Sequence, residues 1–423
     1  MFYTIQLTRI VLVLLVICSG TFNLQAQRAS TSNTGVLYVS PETVMSVEGN
    51  FTNIEEGDYR NDGEVFLKGN FENQGITDFI QEGGITRFEG YSIQDITGNQ
   101  PAYFYNVLFN NDQDPVPFLL SGTMSVEGGV SFYQGIVDNE NYLGVFEMNE
   151  EAYHFNTNDE SHVNGPVNRL GNDEFTFPVG KKGYYRPAVI ASITDPQVYF
   201  DGEFFFENSD KPETPHRLTS DKITRIDNQQ FWTIEETISG NPDQMLLSLT
   251  YRDATTPHLI MDAVENETVT IVRWDEDSNM WVDQGGTVDF ENEMVTTTVN
   301  GFGIFTFATL NDEQLTACKV MVYNAVTPNG DGINDYFRID KDDCAGNLRV
   351  QIFNRWGRKI WESDNYGHNG EVFDGYSKGH LTVREGKSQV PTGTYFYILE
   401  YDYDSGDGKA TQQKAGYLYI SGN

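Results

Sequence analysis

Val47-Glu48-Gly49-Asn50-Phe51-Thr52-Asn53 is followed twenty residues later by Leu67-Lys68-Gly69-Asn70-Phe71-Glu72-Asn73. Both phrases run apolar, charged, Gly, Asn, Phe, polar, Asn. Thr86-Arg87-Phe88-Glu89-Gly90 and Ser125-Val126-Glu127-Gly128-Gly129 are partial echoes. The glycines at 49, 69 and 90 lie 20 and 21 residues apart, and Asn110 and Gly128 keep roughly that beat. A period near 20 with one strand–turn phrase per repeat is the signature of a β-solenoid. One rung cannot bury its own apolar face, so rungs stack and each covers the next. Asn and Gly fall where the chain turns and takes left-handed angles. A β-sandwich of similar hairpins is the competing arrangement. The repeat region extends over residues 27–166.

Outward from the repeat, the beat is lost but the strand signals continue. Residues 167–317 carry Phe175-Thr176-Phe177, Phe231-Trp232-Thr233-Ile234, Leu247-Ser248-Leu249-Thr250-Tyr251, Ile271-Val272-Arg273-Trp274 and Phe302-Gly303-Ile304-Phe305, divided by turn clusters such as Gly240-Asn241-Pro242-Asp243. Short period-two runs bounded by turns predict an antiparallel β-sandwich. Trp232, Trp274 and Trp281 fit its core, with a sugar-stacking platform as the alternative. The fold class is therefore all-β, with very little helix.

Arg9 followed by the apolar run Ile10 to Cys18, with a small residue at Ala26, reads as a secretory signal peptide over residues 1–26. Nine apolar residues are too few to span a bilayer. An anchored N-terminal helix is the alternative. A lipid anchor at Cys18 fits poorly, because Ile17 precedes it where a small residue is usual. Cleavage would leave Cys318 and Cys344, and two thiols in an exported chain most simply pair, closing a loop that stabilises by roughly 3 kcal/mol. The alternative is two buried free thiols.

The 423 residues carry 27 basic and 62 acidic side chains, a formal charge of −35. A basic face is needed to hold phosphate, so nucleic acid and anionic membranes are excluded as partners. The aromatic content, 13 %, is too high for an acidic disordered tail. Residues 27–317 hold 14 basic and 48 acidic side chains; residues 318–423 hold 12 and 14. The acidity thus belongs to everything before Cys318.

The last segment has its own motifs: Thr327-Pro328-Asn329-Gly330-Asp331-Gly332-Ile333-Asn334-Asp335, then Asn354-Arg355-Trp356-Gly357, Phe373-Asp374-Gly375, and Pro391-Thr392-Gly393-Thr394-Tyr395. Pro fixes φ, Gly permits positive φ, and Asn or Asp bonds its own backbone, so these are turn phrases feeding short strands. In this order and spacing they resemble the gliding-motility-associated C-terminal domain, the type B sorting domain of Bacteroidetes proteins exported by the type IX secretion system. Val326 stands where Phe is usual and Phe373 where Trp is usual. The terminus Gly416–Ile420 lacks the usual final basic residue. The resemblance implies a C-terminal immunoglobulin-like antiparallel sandwich over residues 318–423, read by the type IX translocon. It further implies a PorP/SprF-like outer-membrane partner, a Cys318–Cys344 pair, and a chain exported to the cell surface or the medium.

Chemistry is sparse. Asn329, Asp331, the Ile333 carbonyl and Asp335 alternate as calcium-loop ligands do, but Thr327 and Arg338 occupy the positions of the first Asp and the bidentate Glu, and a hydrogen-bonded Asx turn is the simpler reading. Asp275, Asp277 and Asn279 form a similar, poorer alternation. Gly375-Tyr376-Ser377-Lys378-Gly379 matches a hydrolase elbow by pattern only. The six His show no ligand spacing. No cofactor is expected beyond calcium. The expectation is a non-catalytic surface protein for adhesion, gliding or surface assembly, bearing on a surface polysaccharide or adhesion target. The alternative is a polysaccharide-active enzyme or carbohydrate-binding protein with the same C-terminal domain.

Overall fold

The computed structural model describes residues 30–191, 199–220, 222–238, 245–299, 301–311, 320–343, 345–354, 358–377, 388–404 and 409–421. The signal segment, all three cysteines and Arg355-Trp356-Gly357 lie outside them. Strands dominate. Among the described residues the one α-helix is His258–Glu265.

The repeat region is a three-faced β-solenoid of about six turns. Its first turn is Ser30–Asn33, Val36–Val39 and Val44–Val47, and its second is Asn50–Asn53, Asp58–Asn61 and Glu64–Leu67. Each strand pairs in parallel with its counterpart one turn on, so that Val47 meets Leu67 and Leu67 meets Phe88. The two phrases quoted above are thus one rung stacked on the next. Later corners vary in length: Phe71 pairs with Ile96, 25 residues on, and Phe118 with Val137, 19 on. This is why the glycine beat fades in the sequence although the solenoid continues.

The repeated residues earn their positions by stacking. Phe51 lies parallel to Phe71 at 6.0 Å, and Phe88, Phe109 and Phe132 stack at 5.6 Å intervals on another face. Asn33, Asn53 and Asn73 form a buried ladder, each amide donating to the next oxygen at 2.9 Å. A side chain at Gly69 would come within 2.5 Å of the Gly49 carbonyl, so the phrase needs glycine where rungs touch.

Val167–Leu170 is the last parallel strand of the solenoid and the point at which direction reverses. It pairs in parallel with Val145–Met148 and antiparallel with Tyr199–Phe205. One 13-stranded sheet therefore runs from the solenoid into the sandwich. The second sandwich sheet has five strands, in the order Phe175–Thr176, Ala188–Ile190, Met245–Thr250, Met294–Val299, Thr287–Asp289. One large hydrophobic core extends from Val39 to Phe307, and a smaller separate cluster holds Ile223, Val272, Trp274, Trp281 and Ala308. Trp232, Trp274 and Trp281 are buried, which removes them as sugar platforms.

The C-terminal domain has a separate core, from Val320 to Ile420. Its main sheet runs Ala325–Val326, Lys409–Ile420, Gly393–Asp404, Ala345–Phe353, Lys359–Ser363. All pairs are antiparallel except the first. The final strand is long and fully paired despite its atypical end.

Candidate functional site

The Thr327–Asp335 phrase is a loop closed on itself. The Thr327 N–H donates to the Asn334 carbonyl at 2.7 Å, and its hydroxyl to the Ile333 carbonyl at 3.0 Å. Asp335 accepts from the N–H groups of Gly330 and Gly332 at 2.7 and 2.8 Å. Asp331 accepts from the Ile333 N–H at 2.8 Å and from the Asn329 amide at 2.9 Å. These bonds hold the Asp331 carboxyl below its ordinary pKa. Gly330 and Gly332 have φ of 77° and 87°, so the two glycines are required by the turn. Every oxygen of the calcium alternation thus accepts, or faces, a donor from within the loop. Among the described residues no group of three His, Cys, Asp or Glu is placed to hold a metal ion.

This loop meets two of the other motifs. A side chain at Gly375, whose φ is 79°, would lie 2.9 Å from the Pro328 ring, so Gly375 packs directly on Pro328. The Phe337 N–H donates to the Phe373 carbonyl at 2.8 Å. Tyr366 locks the pair: its hydroxyl donates to the Phe337 carbonyl and accepts from the Phe373 N–H. Burial pushes this hydroxyl well above the ordinary tyrosine range. Phe373 rests on Trp361 at 5.7 Å, and Val326 is fully buried, so both atypical residues fill core positions. Tyr366 was not singled out in the sequence. Its only local signal is a turn phrase, Asn365-Tyr366-Gly367.

Asn354 and Pro391 serve separate corners. Asn354 caps the hairpin from Ala345–Phe353 to Lys359–Ser363, its side chain accepting from the Arg358 N–H at 3.0 Å. Tyr395 is buried and donates to the Pro391 carbonyl at 2.8 Å, fixing the turn before the aromatic strand. The constellation is a scaffold of turns around an aromatic core.

Three features resemble catalytic parts. Ser377 of the elbow-like pattern sits in a two-residue strand paired with Ser388–Gln389 and is buried. Ser209 lies 2.8 Å from His216 Nε2, a contact the sequence reading missed, but Ser209 is 1 % exposed. The neighbouring Asp210 accepts the His216 backbone N–H rather than orienting its ring. On the shared sheet, Asp201 lies directly opposite Glu235, with Glu203 two residues on. Burial raises Asp201 to about 6 and Glu203 to about 7. Burial also lowers His154 and His162 to about 4; His162 is fully buried, and the half-buried His154 ring lies 2.7 Å from the Thr176 carbonyl and 3.2 Å from the Thr157 hydroxyl.

Residues 320–420 match the CHU_C type IX secretion signal domain. The C-terminal motifs therefore belong to a type B sorting domain, and that domain supports export of the chain by the type IX system. No curated protein and no solved structure matches the chain.

Proposed function

We propose that this chain is a non-catalytic surface protein, a rigid acidic passenger carried out by its C-terminal sorting domain and used in adhesion, gliding or surface assembly. The observation that supports it best is that the core of the sorting domain is separate from that of the passenger. The sorting domain closes its own, while solenoid and sandwich share another. A passenger with a continuous core is one stiff body, and it carries 48 acidic side chains against 14 basic ones. Repulsion between acidic neighbours keeps copies apart on a crowded surface. A PorP/SprF-like outer-membrane protein is the partner we propose for the sorting domain. Localisation at the cell surface rather than in the medium belongs to the same reading.

The enzymatic alternative requires two carboxyls with opposed roles, one protonated and one ionised, flanking a substrate cleft. Asp201 and Glu203 are both shifted upward, and nothing separates their roles. Removal of residues 318–423 should strand the passenger in the periplasm. Fractionation with a protease-shaving assay on intact cells tests this. A truncated chain recovered from the medium or the cell surface would refute the division of labour.

A further inference from the structure

A cleft of about 800 Å3 opens between the sandwich and the sorting domain. Its floor is the outer face of the five-stranded sheet, where Val189, Ser248 and Thr296 lie side by side in register. The facing wall is the outer face of the terminal hairpin, where Thr394 pairs with Tyr419 and Phe396 with Tyr417. Tyr417 closes one end, its hydroxyl 3.3 Å from that of Thr296. Phe396 and Tyr417 pack ring to ring at 4.7 Å, and Tyr419 is 51 % exposed beside them.

We infer that this cleft binds an uncharged, hydroxyl-rich oligosaccharide. This rests on the surface-binding reading above and names its ligand class. Size is the first observation, since small-ligand sites run to roughly 300–1,000 Å3. Charge is the second. The lining carries Glu174, Asp289 and Glu291 and neither Lys nor Arg, so phosphates, sulfates and uronates are repelled. Asp289 is already satisfied by the Asn292 amide at 2.7 Å and the Glu291 N–H at 3.0 Å, so it does not wait for a cation. Topology is the third. Met245–Thr250, Met294–Val299 and Gly393–Asp404 are interior strands with a partner on each side, so they present side chains to the cleft and not open main-chain groups. The edges at its border are the three-residue strand Thr287–Asp289 and the outer side of Lys409–Ile420, which Ala325–Val326 covers only at Tyr419 and Ile420, so a peptide has little to pair with and is kept as an arm of the test. A sugar ring needs no edge: its C–H face covers an aromatic ring, and its hydroxyls reach Ser248, Thr394 and the Asn324 side chain around the cleft.

Isothermal titration of the full chain with uncharged gluco-, manno- and xylo-oligosaccharides tests the inference, with uronate oligomers and a Lys-rich peptide as the other arms. Binding of one uncharged series is expected. Tyr419→Ala and Phe396→Ala should each weaken it at least about tenfold, while Tyr419→Phe retains it and Tyr133→Ala, on the solenoid, leaves it unchanged. Asn324→Ala, at an exposed position, gives a second reading if Phe396→Ala fails to fold. Binding that survives these changes, binding only of uronates or peptide, or no binding at all would overturn the cleft. Adhesion of cells with and without the chain separates the two levels. Adhesion that depends on the chain but not on Tyr419 sinks the cleft and spares the surface role, whereas adhesion independent of the chain sinks the surface role itself.

Discussion

In the solenoid, Phe51 stacks on Phe71 from the same position of the next rung, and Phe88, Phe109 and Phe132 repeat the arrangement on another face. In the sorting domain, Phe337 meets Tyr366 and Tyr397, and Trp361 meets Tyr366 and Phe373, each from a different segment. Both regions bury aromatic rings in β-structure. The first does so by translation, each contact being a copy of the last. The second does so by convergence, each contact being unique. Translation spreads stability along the rod and makes neighbouring rungs interdependent. Convergence concentrates it in one knot.

The largest expected effect tests that contrast directly. Phe88 is fully buried and touches Phe71, Phe104 and Phe109. Phe88→Ala should cost the passenger about 3–5 kcal/mol and leave the sorting domain unaffected, because the two cores are separate. Calorimetry of the full chain should show one transition moving down and one holding still. A common shift would mean that the cores are coupled through the cleft.

Convergence predicts a smaller but sharper effect. Tyr366→Phe keeps the ring and removes the hydroxyl that joins Phe337 to Phe373. It should cost the sorting domain about 1–2 kcal/mol, the loss for a buried hydrogen bond whose partner is left unpaired. The passenger transition should not move.

The same contrast explains what was legible in the sequence. Translation writes itself out as a repeat, so the solenoid phrase is visible at Gly49 and Gly69. Turn chemistry is local, so Pro328, Gly330 and Gly332 announce their loop. Tyr366 has no such trace, because its role exists only once Phe337 and Phe373 converge on it. The continuous sheet is equally silent, since pairing of Val167–Leu170 with Tyr199–Phe205 spans residues with no shared phrase. Arg169 is misleading. A charged residue reads as surface, yet it is 2 % exposed, donating to the Glu150 carbonyl at 2.6 Å and lying over Phe175, and burial lowers its pKa to about 10.

Titration sharpens the comparison further. Glu203 and Asp201 have folded pKa values of about 7 and about 6, raised above their unfolded ones by burial. The folded state binds protons more readily, so their destabilisation is present above pH 7 and is relieved as pH falls toward 4. His154 and His162 oppose this. Their folded values of about 4 lie below the unfolded value, so stability is lost as pH falls from about 6.5 to 4. The sorting domain's shifted carboxyls, Asp331 and Asp340, are lowered and exposed, so what they contribute is present above their ordinary range and is lost only as pH falls below it. Glu203→Gln should therefore stabilise the passenger by about 1 kcal/mol at pH 8, after discounting for partial solvent screening. The gain should vanish by pH 5. A gain that persists there would assign the effect to packing and not to charge.

The smallest effect concerns the Thr327–Asp335 loop, where the two regions differ in how they hold their turns. Solenoid corners are fixed by neighbours, as Gly69 is by Gly49. This loop is fixed by its own bonds: Asp335 on Gly330 and Gly332, Asp331 on Ile333, and the Thr327 hydroxyl on the Ile333 carbonyl. A calcium ion at Asn329, Asp331, Ile333 and Asp335 would have to displace those donors before gaining its ligands. Millimolar calcium should accordingly stabilise the sorting domain by less than about 0.5 kcal/mol, the linkage expected when the ion concentration only approaches its dissociation constant. Melting the full chain in calcium and in chelator measures this. A rise confined to the sorting-domain transition, lost in Asp331→Asn, would show that the loop exchanges its internal bonds for an ion and that its conformation is set by metal rather than by sequence alone.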